Sequence, residues 1–298
     1  MLDNLLVVQH GPVVPLTRIR MPELPEVETV CRGLSHLMEG RRLVRVDVRR
    51  KNLRIPFPSG LAQKLTGRRI DKIYRRAKYI IMNLDDGQAI IAHLGMSGRI
   101  TTVNPGQSLD AHDHVIFETD DGTEVRLNDP RRFGLMTLAA QNELDTHKLF
   151  KDQGPDPLGV DFTPEVLAAA LKGRASAIKT ALLDQRIVVG LGNIYVCEAL
   201  FRSGLSPKRK SGTVNLARTQ KLVPHIKAVL LEAIKVGGSS LRDHIQPNGE
   251  LGYFQHNWRV YGREGEPCHN ADSHGGVGVI KRLIQGGRST FYCPKCQT

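Results

Sequence analysis

The sequence predicts an α+β protein of more than one domain: a β-sandwich with flanking helices, then a helical unit ending in a small metal-held β-hairpin. Three observations carry this. Short apolar runs separated by turn residues fill the chain from Val44 to Ala139. Apolar residues at helical spacing dominate beyond a Pro/Gly-rich break at Gly154-Pro155-Asp156-Pro157-Leu158-Gly159. Three of the five cysteines lie between Cys268 and the end, an uneven distribution that suits a metal site better than a disulfide framework.

Pro22-Glu23-Leu24-Pro25-Glu26-Val27-Glu28 puts prolines and acids where a helix starts, and Val27, Val30 and Leu34 continue one apolar face. Val44, Val46 and Val48 alternate with Arg45, Asp47 and Arg49, the two-residue period of a half-buried strand. Further strands are predicted at Ile70–Tyr74, Tyr79–Leu84, Ala89–His93, Val115–Glu118, Glu124–Leu127 and Leu135–Ala139, with turns at Asp85-Asp86-Gly87 and Asp120-Asp121-Gly122. After the break, helices are predicted at Pro164–Leu171, Ile178–Leu183, Ile194–Arg202 and Leu216–Val236, with Pro224 expected to divide the last in two. From Tyr253 the chain is Gly-rich and finishes on Cys293-Pro294-Lys295-Cys296. The expected division is an extension at 1–20, a sandwich at 21–153, a linker at 154–160, a helical domain at 161–252 and the hairpin at 253–298.

The chain has 298 residues, 40% of them hydrophobic, enough for two cores. Its 42 Lys+Arg give a formal net charge of +12 and a pI near 9.7, which suits a polyanionic partner; a basic protein with merely solvated charges fits the composition too. No apolar run approaches the roughly 18–20 residues that span a bilayer. Met1 to Val8 lacks the basic head and long apolar middle of a secretory signal. The expectation is a cytoplasmic, soluble monomer that binds no membrane.

Met21-Pro22-Glu23-Leu24-Pro25-Glu26-Val27-Glu28, Arg75-Arg76-Ala77-Lys78-Tyr79, His93-Leu94-Gly95-Met96-Ser97-Gly98, Asn128-Asp129-Pro130-Arg131-Arg132-Phe133-Gly134, Gly190-Leu191-Gly192-Asn193-Ile194-Tyr195 and Thr290-Phe291-Tyr292-Cys293 follow one another in that order. Together they resemble the formamidopyrimidine-DNA glycosylase family from Met21 to the last residue. The resemblance implies a bifunctional glycosylase and AP lyase that excises oxidised purines, such as 8-oxoguanine and formamidopyrimidines, from double-stranded DNA. It implies no redox or nucleotide cofactor, a helix–two-turn–helix DNA-binding domain and a zinc-finger-like hairpin.

The family's nucleophile is an N-terminal proline, here Pro22, with Glu23 as proton donor and shuttle. An α-amino pKa near 8 leaves about a tenth of the amine neutral at pH 7, against about one part in 2,500 for a lysine. Taken alone, a Pro-Glu pair reads as an ordinary helix start. By resemblance, Lys78 assists at the lesion's phosphate or sugar, and Arg288 engages phosphates around the extruded nucleotide. His93 and Lys179 fall to DNA binding. Met96, Arg131 and Phe133 match the trio that fills the gap left by a flipped base. Without the resemblance, Met96 and Phe133 would read as core and Lys78 as a solvated strand lysine. Asn193 is placed to cap the helix after the glycine turn while backbone N–H groups bind a phosphate. Ser239–Tyr253 matches a mobile loop over the flipped base.

Two departures from the family stand out. Twenty residues precede Met21, and while they stay attached the Pro22 nitrogen is an amide without nucleophilic character; the expectation is translation from Met21 or removal of the extension. Ala271 stands where a fourth cysteine belongs, so a Zn2+ held by Cys268, Cys293 and Cys296 needs another ligand. His269, Asp272 and His274 are the candidates, His274 first; a metal-free hairpin is the alternative. Competing readings are an endonuclease VIII-like glycosylase for oxidised pyrimidines, a non-catalytic damaged-DNA-binding protein, and a zinc-ribbon protein that binds RNA or protein.

Overall fold

The computed structural model describes residues 22–104, 106–238, 254–270, 275 and 278–298. Two four-stranded antiparallel sheets form the first half. One runs in the order β1 (Leu43–Val48), β6 (Asp113–Thr119), β7 (Glu124–Asn128), β5 (Arg99–Thr102). The other runs β2 (Ile70–Arg76), β3 (Tyr79–Leu84), β4 (Gln88–His93), β8 (Leu135–Ala140). Ile80, Met82, Ile90 and Met136 from the second sheet meet Val46, Val115, Phe117 and Leu127 from the first in one core. Ile81 and Ile91 point the opposite way, into a cluster with Leu144 and Phe150. A sheet covered on both faces explains why β3 and β4 read as unbroken apolar runs rather than alternating ones.

The valine alternation at the first strand is corrected. Leu43 and Val46 are buried while Val44 is 48% exposed, because a register irregularity between Leu43 and Arg45 breaks the two-residue period. Strand β5 and the short helix α2 (Leu61–Leu65) carried too little periodicity to be anticipated.

Helix α1 (Leu24–Met38) divides its apolar face between two cores. Val27, Val30, Cys31, Leu34 and Met38 pack on the sandwich, whereas Leu24 belongs to the core of the second half. Each fully buried Leu or Val contributes about 1.5–3 kcal/mol, so α1 binds the halves together at the end where Glu23 lies. The second core is built by α3 (Pro164–Leu171), α4 (Ile178–Leu182), α5 (Asn193–Arg202) and α6 (Leu216–Lys235). Tyr261, Cys268, Phe291 and Cys293 share this core, so the terminal hairpin β9 (Lys281–Gln285) and β10 (Arg288–Tyr292) leans on the helices.

Pro224 does not divide α6, which is one helix over twenty residues. An interior proline costs about 3 kcal/mol. Leu222, Val223, Ile226, Val229 and Leu230 around it are all buried, and together they outweigh that cost. Asn215 caps the start, its Oδ1 accepting the Arg218 N–H at 3.2 Å. Among the described residues, no helix is long and apolar enough to cross a membrane.

Candidate active site

The starts of α1 and α5 meet at Glu23. Leu24 N–H donates to the Gly190 carbonyl at 3.2 Å, which lays the start of α1 against the turn before α5. Glu23 Oε1 accepts the Ile194 N–H at 3.2 Å, so this carboxylate caps α5. Gly190 has φ +77°, and a Cβ there would come within 2.6 Å of Leu24. At Gly192 a Cβ would overlap the Glu23 carboxyl group itself. The turn is therefore glycine-rich because Glu23 and Leu24 occupy the space that side chains would need.

Asn193 does not cap α5. It is the first helical residue, and its Nδ2 donates instead to the Ser289 carbonyl at 2.8 Å and the Tyr261 hydroxyl at 3.1 Å. That contact ties α5 to the hairpin next to Arg288.

Burial drives the Glu23 pKa up to about 7, against the opposing pull of Lys78 and of the Ile194 and Tyr195 N–H groups. Both protonation states are then populated near neutrality, and Glu23 Oε2 has no hydrogen-bond partner among the described residues. Three residues on, Glu26 Oε2 accepts the Glu23 N–H at 3.0 Å and Glu26 Oε1 accepts the Tyr195 hydroxyl at 2.5 Å. Pro22 is buried at the head of this arrangement.

Lys78 sits in the two-residue turn between β2 and β3, not on a strand. Its Nζ donates to the Leu191 carbonyl at 3.0 Å, and burial lowers its pKa while Glu23 opposes the shift. A groove of about 360 Å³ is lined by Arg54, Lys78, His93, Lys148, Leu191 and Arg288, among others. Arg288 is exposed at the start of β10. His93 Nδ1 accepts the Gly95 N–H at 2.9 Å, and burial, reinforced by the Arg54 and Lys78 charges, pushes its pKa to about 4. The imidazole is therefore neutral near pH 7 and carries its proton on Nε2. Lys179 is wholly buried on α4, its Nζ without a hydrogen-bond partner among the described residues and its pKa lowered by burial.

Met96, Arg131 and Phe133 lie on two loops that cross. A Cβ at Gly95 would collide with the backbone of Phe133 and Gly134, so only glycine lets the loops touch. The buried Asp129 carboxylate holds both, accepting from Ser97 Oγ at 2.6 Å and Gly134 N–H at 2.8 Å. Met96 is half-buried, Phe133 is 44% exposed, and the Arg131 guanidinium lies 4.8 Å from the centre of the Phe133 ring. An exposed phenylalanine carrying its own cation suits insertion into a base stack.

The chain matches the model of the formamidopyrimidine-DNA glycosylase N-terminal domain over residues 21–136 and that of the formamidopyrimidine-DNA glycosylase H2TH domain over residues 153–244. It is 54% identical to the formamidopyrimidine-DNA glycosylase of Ruegeria pomeroyi over 285 residues, covering 93% of this chain and 100% of that protein. This chain belongs to the formamidopyrimidine-DNA glycosylase family. The family relative of Rhizorhabdus wittichii is 54% identical over 277 residues, again with 93% and 100% coverage. Among solved structures, the MutM (Fpg) protein of Thermus thermophilus superposes with TM-score 0.81 at 36% identity, covering 93% of this chain and 98% of that one. The complex between the Lactococcus lactis Fpg and an abasic site containing DNA superposes at 0.83 and 32%, covering 93% and 100%.

Cys268, Cys293 and Cys296 come together at the C-terminal hairpin, their sulfurs all within 4.8 Å of one another, with Cys268 and Cys296 at 3.4 Å. A tetrahedral Zn–S bond of about 2.3 Å puts sulfurs about 3.8 Å apart, so the three thiols fit a zinc ion. No histidine or carboxylate among the described residues joins them; His269 is exposed outside the cluster, and His274 and Asp272 lie outside the described residues. The segment Ser239–Tyr253 and the extension 1–20 also lie outside them.

Sequence reading missed Arg54 and Gln185, and quoted Arg75 within the Arg75-Arg76-Ala77-Lys78-Tyr79 motif without giving it a role. Gln185 Oε1 accepts the Gly190 N–H at 2.9 Å and its Nε2 donates to the Leu191 carbonyl at 3.3 Å, shaping the turn from below. Nothing in the sequence around Gln185 marks it, since its role depends on a turn that closes only in the fold.

Proposed function

We propose that this chain, as a DNA glycosylase of base excision repair, removes oxidised purines from duplex DNA through a Schiff base on Pro22 and then cleaves the strand. The observation that carries it is Glu23. A buried carboxyl with a pKa near 7, adjoining Pro22 and facing the field of Lys78, can give and take a proton at neutral pH.

The free Pro22 nitrogen attacks C1′, the C1′–N bond to the damaged base breaks, and the base leaves with that electron pair, taking its proton from the protonated Glu23 carboxyl. Glu23 relays the nitrogen's proton to the sugar ring oxygen as the ring opens, leaving the iminium. Loss of a C2′ proton then expels the 3′ phosphate and breaks the strand. Lys78, Arg288 and neutral His93 hold phosphates in the groove. Met96, Arg131 and Phe133 fill the stack, and Asn193 fixes the turn beside the backbone. Lys179 adds positive field from beneath the site.

The amine must be free, so Met21 and the residues 1–20 before it are absent from the working enzyme. Supporting this, the family model begins at residue 21. The catalytic sandwich spans 21–153, the linker 154–160, the DNA-binding helices 161–252 and the finger 253–298. Cys268, Cys293 and Cys296, with His274 as the fourth ligand, would hold a zinc ion whose help would be structural rather than chemical. The enzyme works in the cytoplasm as a monomer.

Borohydride trapping on an 8-oxoguanine duplex tests the reading. A chain beginning at Pro22 yields a covalent adduct and one retaining Met1 does not. If the shorter chain binds the duplex but traps none, the protein is a damaged-DNA-binding protein only.

A further inference from the structure

Arg75 has no part in the scheme above, yet its side chain is only 7% exposed and touches three separate segments. Its Nε donates to Glu28 Oε2 on α1 at 3.0 Å. Its Nη1 donates to Asp156 Oδ2 in the linker at 2.7 Å, and to the Ala77 carbonyl at 3.1 Å. Ala77 has φ +54°, left-handed backbone that a residue with a Cβ adopts only when its surroundings hold it there. The residue after it is Lys78.

From Lys78 the contacts return to Arg75. Lys78 Nζ bonds the Leu191 carbonyl at 3.0 Å. Two residues before Leu191, the Val189 N–H donates to the Pro155 carbonyl at 3.1 Å. Pro155 adjoins Asp156, which Arg75 holds, and Asp156 Oδ1 is itself fixed by the Leu158 N–H at 2.9 Å. Lys78 is thus pinned at its backbone from one side and at its ammonium from the other, and Arg75 closes the ring. Glu28, the third arm, lies on the helix for which Glu23 is the N-terminal cap residue.

We infer that Arg75 is a positioning residue for the excision chemistry: it locks the strained Ala77–Lys78 turn onto α1 and the linker, and so holds the Lys78 ammonium beside Glu23. A lysine at position 75 keeps the charge but has all its donors on one nitrogen, so it cannot hold at once the partners that Nε and Nη1 of the arginine hold from separate positions. The inference rests on the reading of Lys78 and Glu23 as the working groups.

The test is single-turnover excision of 8-oxoguanine by chains beginning at Pro22, comparing the parent with Arg75→Lys, Asp156→Asn, Lys78→Met and the double variant Arg75→Lys/Lys78→Met. Arg75→Lys lowers the maximal rate about 30-fold while the duplex concentration giving half-maximal rate changes less than threefold. Asp156→Asn, which removes one arm only, lowers the rate about fivefold. The double variant is no slower than Lys78→Met alone within twofold, because Arg75 acts through Lys78. Multiplicative losses in the double variant, or an Arg75→Lys effect confined to duplex affinity, overturn the inference while the parent remains active. A parent that excises nothing overturns the active-site reading and this inference with it.

Discussion

The Glu23 carboxylate and the Ile194 N–H, 171 residues apart in the chain, meet at 3.2 Å, so the carboxylate proposed as the proton shuttle, from one half, is the helix cap of the other. The positive end of α5 draws the carboxylate toward the charged form and burial pushes it toward the neutral one. Burial wins, and the pKa of about 7 follows.

Replacing Glu23 by Gln therefore abolishes excision but stabilises the protein in alkali. The folded pKa of about 7 lies above the ordinary 4.5. Between these values the folded state binds more proton than the unfolded chain, so stability falls as pH rises from 4.5 to 7 and stays low above. Glu23→Gln lifts that penalty, of the order of 2–3 kcal/mol at pH 8, and gains nothing at pH 4. Thermal melts of both chains across this range check it; a gain independent of pH would contradict the assignment.

Gly192→Ala displaces the Glu23 carboxyl group, whose place the new methyl takes. The α5 cap is lost with it, at about 1 kcal/mol, and strain adds a further 1–3 kcal/mol. Adduct formation on borohydride trapping drops at least a hundredfold. Trapping within threefold of the parent would mean that Glu23 is not needed where it stands.

Phe133→Ala separates stability from function. With 44% of the residue already exposed, the melting free energy changes by no more than about 0.5 kcal/mol. Affinity for a duplex with an abasic site falls about tenfold, while affinity for intact duplex is unaffected. Titration of the two duplexes reads this difference directly.

Metal removal reaches beyond the finger. Cys268 and Cys293 are part of the core that contains α5 and α6, so chelation lowers the melting temperature of the helical half as well as duplex affinity. Metal analysis of the purified protein is expected to find one zinc per chain. His274→Ala reduces that content, and full occupancy in the variant would direct the search for the fourth ligand elsewhere.

Much of this was legible in residue patterns. The first helix shows in its Pro-Glu start and apolar face, most strands in short runs bounded by Asp-Gly turns, and the finger in Cys293-x-x-Cys296, because each is set by neighbours a few residues away. The family resemblance set Met96 and Phe133 apart from the core, where burial preferences alone would have placed them; Met96 is half-buried and Phe133 is exposed. Local rules failed where the partner was distant. Pro224 stays within one helix because five surrounding side chains are buried, and Val44 turns outward because a strand irregularity overrides the valine period.

The sequence by itself determined the α+β class, the chain's positive charge and the identity of the groups available for chemistry, since composition and short-range periodicity encode these. Only the tertiary structure decided what those groups do. It made Glu23 rather than Asn193 the cap of α5, raised its pKa by removing it from water, turned Lys78 inward on a strained turn, and joined Arg75 to three segments. Each of these depends on burial and on contacts between residues far apart in the chain, and neither quantity exists until the two halves have packed.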